Sequence, residues 1–237
     1  MRPPRKEPRL VEIETLSDGT ITSVAQQKRD LDRVSVFLDG EFRFGLSADI
    51  AVAERLKKGL HLTAQRQYEL LAMEERMAAK RAAIDAVSQR GRTSAEIRRS
   101  LSQRGFSEAA VDEAIAELER YGYLDDEAFA QAFVEARGGA GGHGPQRLRA
   151  DLLKKGVARG AIDAALETLE ADDLLDSARA LAAKRWAALA SETDPRKRRK
   201  KTSDFLLRRG FGFDTVRQAV DAASEGDDDE ADAWESP

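Results

Sequence analysis

An internal repeat constrains the fold of this chain more than any other feature of its sequence. The segment 96–106 recurs as 147–157 after a shift of 51 residues, and again as 201–211 after a further shift of 54. Each copy carries an apolar residue shortly before a basic pair or near-pair, then a glycine and another apolar residue. A repeat of this length predicts tandem structural units that are stable only when neighbouring units pack on one another.

A unit of three short helices explains the repeat. In the second unit, Asp125 is the predicted N-cap of the first helix, Pro145 opens the second helix, and Gly156 ends it in the left-handed region. The second helix of the first unit is expected to begin with a capping box at Thr93, and that of the third unit at Pro195. One unit buries too few apolar side chains to offset its chain entropy, so the units should stack.

Strand signals are confined to residues 20–62, ahead of the repeats. Asp39 and Gly40 stand between two alternating segments and are typical of a two-residue hairpin turn. We expect a polar connection over residues 26–32 before this hairpin, and a short helix capped by Ser47 after it. The predicted fold is therefore mainly α: tandem three-helix repeats (three units) in an elongated curved array, preceded by a small ββ(β)α N-terminal module.

Charge and glycine patterns divide the chain into six predicted segments. These are a flexible basic arm (1–19), the β-hairpin/helix module (20–62), three three-helix units (63–122, 123–172 and 173–223) and a disordered acidic tail (224–237). The tail holds seven acids and no base between Glu225 and Glu235. It is either a solubilising end or a competitor of nucleic acid for the protein's own basic surface.

Composition excludes several kinds of chemistry. The chain has no cysteine, and its two histidines, His61 and His143, are far apart, so we expect no disulfide, thiol nucleophile, zinc cluster or cofactor. There is no apolar stretch of about 18 residues and no apolar run near the N-terminus, which predicts a cytoplasmic protein without a membrane span or secretory signal.

A glycine-rich stretch, residues 138–144, precedes the second helix of the second unit. It lacks the Gly-Lys-Ser/Thr ending and the preceding strand of a phosphate-binding loop, so we interpret it as a flexible connection between helices. The N-terminus of the helix that follows could still hold one phosphate through its backbone N–H groups.

Basic residues recur on the second helix of each unit, and six of them are consecutive in the third. The candidate partner- or DNA-binding residues are Arg98, Arg99, Arg147, Arg149, Lys154, Lys155, Arg196, Lys197, Arg198, Arg199, Lys200, Lys201, Arg208 and Arg209. They form either ordinary solvated faces with bases near helix C-termini, or a cationic ridge for a repeating anionic partner such as nucleic acid or a nucleoprotein filament. Aromatic groups for base stacking are sparse, so base-specific recognition is not expected.

The second unit carries a combined motif that is repeated in register along the chain. Its residues are Tyr123, Leu124, Asp125, Asp126, Phe129, Ala130, Phe133, Val134, Arg137, Gly144, Pro145, Arg147, Leu148, Arg149, Leu152, Lys155, Gly156 and Val157. This motif resembles the signature of the RecX family, bacterial regulatory proteins of the RecA recombinase, and the resemblance covers roughly residues 20–222. The stretch 138–142 departs from it, since family members more often carry basic or aromatic residues there.

The resemblance implies a non-enzymatic modulator in DNA repair and homologous recombination. Such a protein binds RecA, as monomer and as filament on single-stranded DNA, and restrains filament growth, ATP hydrolysis, strand exchange and the co-protease activity of the SOS response. It implies no membrane contact and a monomeric state, and leaves direct DNA contact open. Two alternatives remain: a sequence-nonspecific DNA-binding protein that acts without RecA, and an enzyme with a site assembled from distant residues.

Core and surface positions on the second helix of the second unit can be separated by mutation. Leu152→Asp should unfold its unit because it places a charge among apolar side chains, whereas Arg149→Glu should leave the fold intact. Far-UV circular dichroism of the two variants measures the difference. An equal loss of helical signal in both would contradict the assignment.

Overall fold

The computed structural model describes residues 12–232, without the side chains of Ala140 and of residues 226–232. Its strands and helices follow in this order: β1 (Gly19–Gln27), β2 (Asp30–Leu38), β3 (Glu41–Ser47), α1 (Ala48–Ala53), β4 (His61–Leu62), α2 (Ala64–Gln89), α3 (Ser94–Gln103), α4 (Glu108–Arg120), α5 (Asp126–Arg137), α6 (Pro145–Lys154), α7 (Arg159–Glu167), α8 (Ala171–Ala187), α9 (Pro195–Arg208) and α10 (Phe213–Asp232). The predicted fold class, mainly α with three helical units after a small β-containing module, is confirmed.

Each group of elements has its own apolar core. The sheet packs around Val36 with α1 and the start of α2, and the three groups α2–α4, α5–α7 and α8–α10 pack around Ile97, Leu152 and Leu206. By their contacts the described elements form two compact units. The first holds the sheet, α1, α2, α4 and most of α3, and the second holds α5 to α10 with Thr93–Ala95.

The N-terminal sheet is antiparallel, with strand order β3-β2-β1-β4. Asp39 and Gly40 both have positive φ angles, 51° and 92°, as the predicted hairpin turn requires. The predicted polar connection over residues 26–32 is wrong, because β1 runs through Gln27 and β2 begins at Asp30. Exposed polar side chains are compatible with an antiparallel strand that is solvated on one face, so polarity there does not mark a loop.

Two consecutive glutamates of α2 are buried and fasten this helix to both of its neighbours. Glu74 accepts hydrogen bonds from the guanidinium of Arg33 and from the backbone N–H of Ser47 at 2.6 Å. Glu75 accepts from the backbone N–H and the hydroxyl of Ser107, at 2.9 and 2.6 Å. Since Ser47 ends β3 and caps α1 and Ser107 caps α4, adjacent carboxylates link α2 to the end of the sheet and to α4.

The segment before β1 differs from the predicted flexible arm. Residues 1–11 of that arm lie outside the described residues, but Ile13–Thr15 form a 3-10 turn. The carbonyl of Ser17 accepts a hydrogen bond from the side-chain amide of Gln67 at 2.7 Å, and the Asp18 carboxylate accepts one from the backbone N–H of Ala64. Capping of the first turn of α2 therefore fixes the chain before residue 19.

The C-terminal segment also differs in its backbone from the prediction. The acidic tail is expected to be disordered from residue 224, whereas α10 continues as a helix to Asp232. Residues 233–237 of the predicted tail lie outside the described residues.

The second helix of every three-helix unit ends in the same backbone motif. A glycine adopts a left-handed conformation, and the amide after it donates a hydrogen bond to the carbonyl five residues earlier, at 3.3, 3.2 and 3.3 Å in the three units. The glycines are Gly105, Gly156 and Gly210, with φ angles of 88°, 83° and 86°. In each unit the apolar residue that follows is buried, so the turn directs the chain back into the core.

Gly210→Ala should destabilise the protein, whereas Gly160→Ala should not. A methyl group at Gly210 would occupy left-handed backbone and lie 2.2 Å from the amide nitrogen of Arg147, which we expect to lower the free energy of unfolding by about 2 kcal/mol or more. Gly160 lies in the exposed first turn of α7 with nothing near its missing Cβ, so alanine should stabilise by up to about 1 kcal/mol. Urea unfolding followed by circular dichroism measures both changes, and equal midpoints for the two variants would refute this role of Gly210.

Candidate interaction surface

In each of the first two units, one candidate arginine forms an ion pair that joins the second helix to the third, at equivalent positions. The guanidinium of Arg98 on α3 binds the carboxylate of Asp112 on α4, and Arg149 on α6 binds Asp163 on α7 in the same way. Both arginine side chains remain about half exposed, at 47% and 46%. Exposed pairs of this kind contribute little stability, about 0–1 kcal/mol, but they neutralise part of the predicted cationic surface.

The remaining candidates of these two units divide between engaged and exposed side chains. Arg147 donates from Nε to the Asp151 carboxylate at 3.0 Å, and the Lys155 ammonium lies 5.3 Å from the centroid of the Phe129 ring. Arg99 and Lys154 are exposed and make no ion pair with any residue whose side chain the structure describes.

The run of six bases, all on α9, is not a uniform surface. Arg198 turns inward, where its Nε and Nη2 donate to the carbonyl of Trp186 at 3.1 and 2.9 Å and its guanidinium lies 4.4 Å from the indole centroid. Arg199 binds the carboxylate of Asp221 and the hydroxyl of Ser224 on α10.

Two lysines of this run contact acids near the start of α9. Lys201 binds Glu192 at 2.5 Å and thereby lowers the pKa of that carboxyl, and Lys197 lies 3.8 Å from the capping residue Asp194. Arg196 and Lys200 are exposed, one turn apart on α9, and pair with no described side chain.

A pocket of about 300 Å³ lies between α6 and α9 in the second compact unit. Its lining residues are His143, Arg147, Phe205, Arg208 and Arg209. The backbone N–H of Gly144 donates to the carbonyl of Arg209 at 2.8 Å, and that of Gln146 donates to the carbonyl of Gly210 at 3.1 Å. The expectation that the N-terminus of α6 could hold a phosphate is therefore wrong, because the end of α9 already occupies these amides.

His143 is the histidine of this pocket, and its electrostatic environment is cationic. Burial lowers the pKa of its imidazole from the ordinary value of 6.5, and the guanidinium of Arg209 lowers it further. The carboxylate of Asp151 opposes this shift, while Arg147 and Arg137 add to it. The surroundings therefore favour the neutral ring, since a proton on it would be repelled by the neighbouring guanidinium groups.

In the described part of the chain, no three His, Asp or Glu side chains lie close enough together to bind a metal ion. Among the described helices, none is both long and apolar enough to cross a membrane.

Together, the sheet module and the three helical units, each with a second helix that ends at a left-handed glycine, define a tandem helical-repeat protein. The chain belongs to the RecX family of regulatory proteins. The sequence model of the RecX N-terminal domain family matches residues 19–63. The family models of the first, second and third RecX three-helix domains match residues 79–118, 125–166 and 171–220.

Named relatives and solved structures match over most of their length. A regulatory protein RecX of Clostridium botulinum is 30% identical over 86% of this chain and 95% of its own, and one of Bacillus licheniformis is 28% identical over 89% and 80%. A crystal structure of regulatory protein RecX superposes with a TM-score of 0.67 at 25% identity, covering 86% of this chain and 99% of the other. RecX from Lactobacillus salivarius shares the fold, with a TM-score of 0.59 at 22% identity over 64% of this chain and 98% of the other.

Arg198→Ala should destabilise the third unit, although Arg198 belongs to the predicted binding run. The substitution removes two charge-assisted hydrogen bonds and a cation–π contact at Trp186, and we expect a loss of about 1–2 kcal/mol. Lys200→Ala on the exposed face is the matched control and should change stability by less than about 0.5 kcal/mol. Thermal unfolding measures both, and an unchanged midpoint for Arg198→Ala would contradict this stabilising role at Trp186.

Proposed function

We propose that this protein is a non-enzymatic modulator of RecA. It binds RecA and the RecA filament on single-stranded DNA, and it restrains filament growth, ATP hydrolysis, strand exchange and SOS co-protease activity. The observation that carries the proposal is the match to the RecX family over most of the chain, since all four family domains occur in order and the relatives bear the name of a regulatory protein. The proposed location is the cytoplasm, where the protein acts as a monomer without a cofactor.

Cations that are not engaged within the protein are the best candidates for contacts with the filament. A cation without an acidic partner offers its full charge to another anion, whereas the charge of a paired cation is already partly neutralised. The candidates that pair with no described side chain are Arg99, Lys154, Arg196, Lys200 and Arg208. Every three-helix unit contributes at least one, so several weak contacts can add up to tight binding if they engage together.

A second function, sequence-nonspecific DNA binding without RecA, is favoured by the same exposed cations. Lysine and arginine side chains neutralise backbone phosphates whatever the base sequence. This function predicts that binding weakens steeply with salt and needs DNA alone, whereas the modulator needs RecA.

RecA ATPase activity on single-stranded DNA, titrated with the protein, tests the proposal. We expect inhibition well below one molecule per RecA, insensitive to excess DNA, because the filament and not the DNA is the target. Inhibition that excess DNA abolishes would support the DNA-binding alternative. No effect at equimolar protein would reject the modulator.

A matched pair of variants locates the contacting surface. The triple variant Arg99→Glu, Lys154→Glu and Lys200→Glu should raise the concentration for half-inhibition about tenfold or more, because it repels anions in all three units. The control reverses three exposed lysines outside the second helices, Lys28, Lys57 and Lys58, and should inhibit like the wild type. Circular dichroism verifies that both variants fold. Equal inhibition by the two variants would show that these second-helix cations do not carry the contact.

A further inference from the structure

The pocket between α6 and α9 gathers more positive charge than any acid near it neutralises. Three of its five lining residues are arginines, and a fourth is a histidine. Of these arginines, Arg147 contacts an acidic side chain: its Nε donates to the carboxylate of Asp151 at 3.0 Å. Arg208 is exposed and pairs with no described side chain, so most of the charge faces the cavity uncompensated.

Two of the three lining arginines are held in place before any ligand binds. Arg209 donates from Nη1 to the carbonyl of Gly142 at 3.3 Å, and its guanidinium lies 5.2 Å from the centroid of the Phe205 ring. Arg147 is held by its ion pair along α6. Groups fixed in this way lose little conformational entropy on binding, which favours affinity.

His143 supplies a polar atom that lacks a partner. Its Nδ1 is inaccessible to solvent and makes no hydrogen bond within the described structure. The charged groups around the ring are Arg137 on α5, Arg147 and Asp151 on α6, and Arg209 on α9. A bound anion would offset these guanidinium charges and so favour the protonated ring.

We propose that this pocket is a binding site for a phosphate group. Guanidinium groups bind tetrahedral oxyanions through paired N–H donors, and three of them around one cavity match the several oxygens of a phosphate better than the two of a carboxylate. The volume of about 300 Å³ also admits the sugar or ester group attached to it. The phosphate belongs either to the backbone of a nucleic-acid strand or to a free nucleotide. The site does not depend on the proposed action on RecA.

Proton NMR of the two histidine rings in the full-length protein tests the site directly. The rings are those of His61 and His143, and a His61→Gln variant assigns the signals. Titration with inorganic phosphate at constant ionic strength should give a saturable shift at His143 and none at His61. Because the bound anion favours the imidazolium form, it should raise the pKa of His143, and binding should strengthen as the pH falls. The charge of phosphate itself changes near neutral pH. Sulfate remains a dianion as the pH falls, so it repeats the test with a ligand of constant charge.

Two charge-matched variants connect the signal to the pocket. Arg208→Gln removes one lining guanidinium and should weaken phosphate binding about fivefold or more. Arg159→Gln removes an exposed arginine outside the pocket and should leave the affinity unchanged. The absence of a saturable His143 shift with both phosphate and sulfate, or equal affinities of the two variants, would overturn the proposal.

Oligothymidylate and thymidine 5′-monophosphate then identify the source of the phosphate. A backbone phosphate is indicated if Arg208→Gln weakens oligonucleotide binding and Arg159→Gln does not. A free nucleotide is indicated if the monophosphate shifts His143 and the oligonucleotide binds both variants equally. Either result supports a phosphate site, and neither depends on whether RecA is inhibited.

Discussion

A left-handed glycine at the end of each second helix is the constraint on which the three-helix units depend. The αL conformation lets the last carbonyls of the helix accept hydrogen bonds from the amides that follow, and it returns the next apolar residue to the core. At Gly210 the missing side chain has a second effect, because the carbonyl end of α9 can then contact the amide end of α6. A backbone requirement of the fold thus also brings two cationic helix ends together.

The basic residues of the second helices have two roles that composition cannot separate. Positive charge is favourable near the C-terminus of a helix, whatever the protein binds. The structure shows that some cations serve internal contacts, as Arg198 does at Trp186, whereas Lys200 on the same helix has no described partner. The difference arises from three-dimensional position, since both belong to one unbroken basic run.

Features set by neighbouring residues could be predicted from the sequence, and features set by distant ones could not. Helix starts at Asp125 and Pro145 and the turn at Asp39 follow from local hydrogen bonding and backbone preference, and the structure has them where predicted. The buried carboxylates of Glu74 and Glu75 escape such reasoning, because charged residues in a helix usually face solvent. Their partners lie 27 and 32 residues away, so only the folded chain shows the contact.

The pocket shows that the candidate site, like the fold, could be predicted from local sequence only in part. Local sequence predicts Arg208 and Arg209 as cations of interest but gives no reason to place His143 beside them, since 65 residues separate it from Arg208 along the chain. The link is Gly144, where a Cβ would lie 2.3 Å from the backbone of Gly210. Any larger residue there would push the loop away from α9 and open the pocket. The glycine-rich stretch, interpreted from sequence as a flexible connection, is therefore what allows a histidine and three arginines to share one cavity.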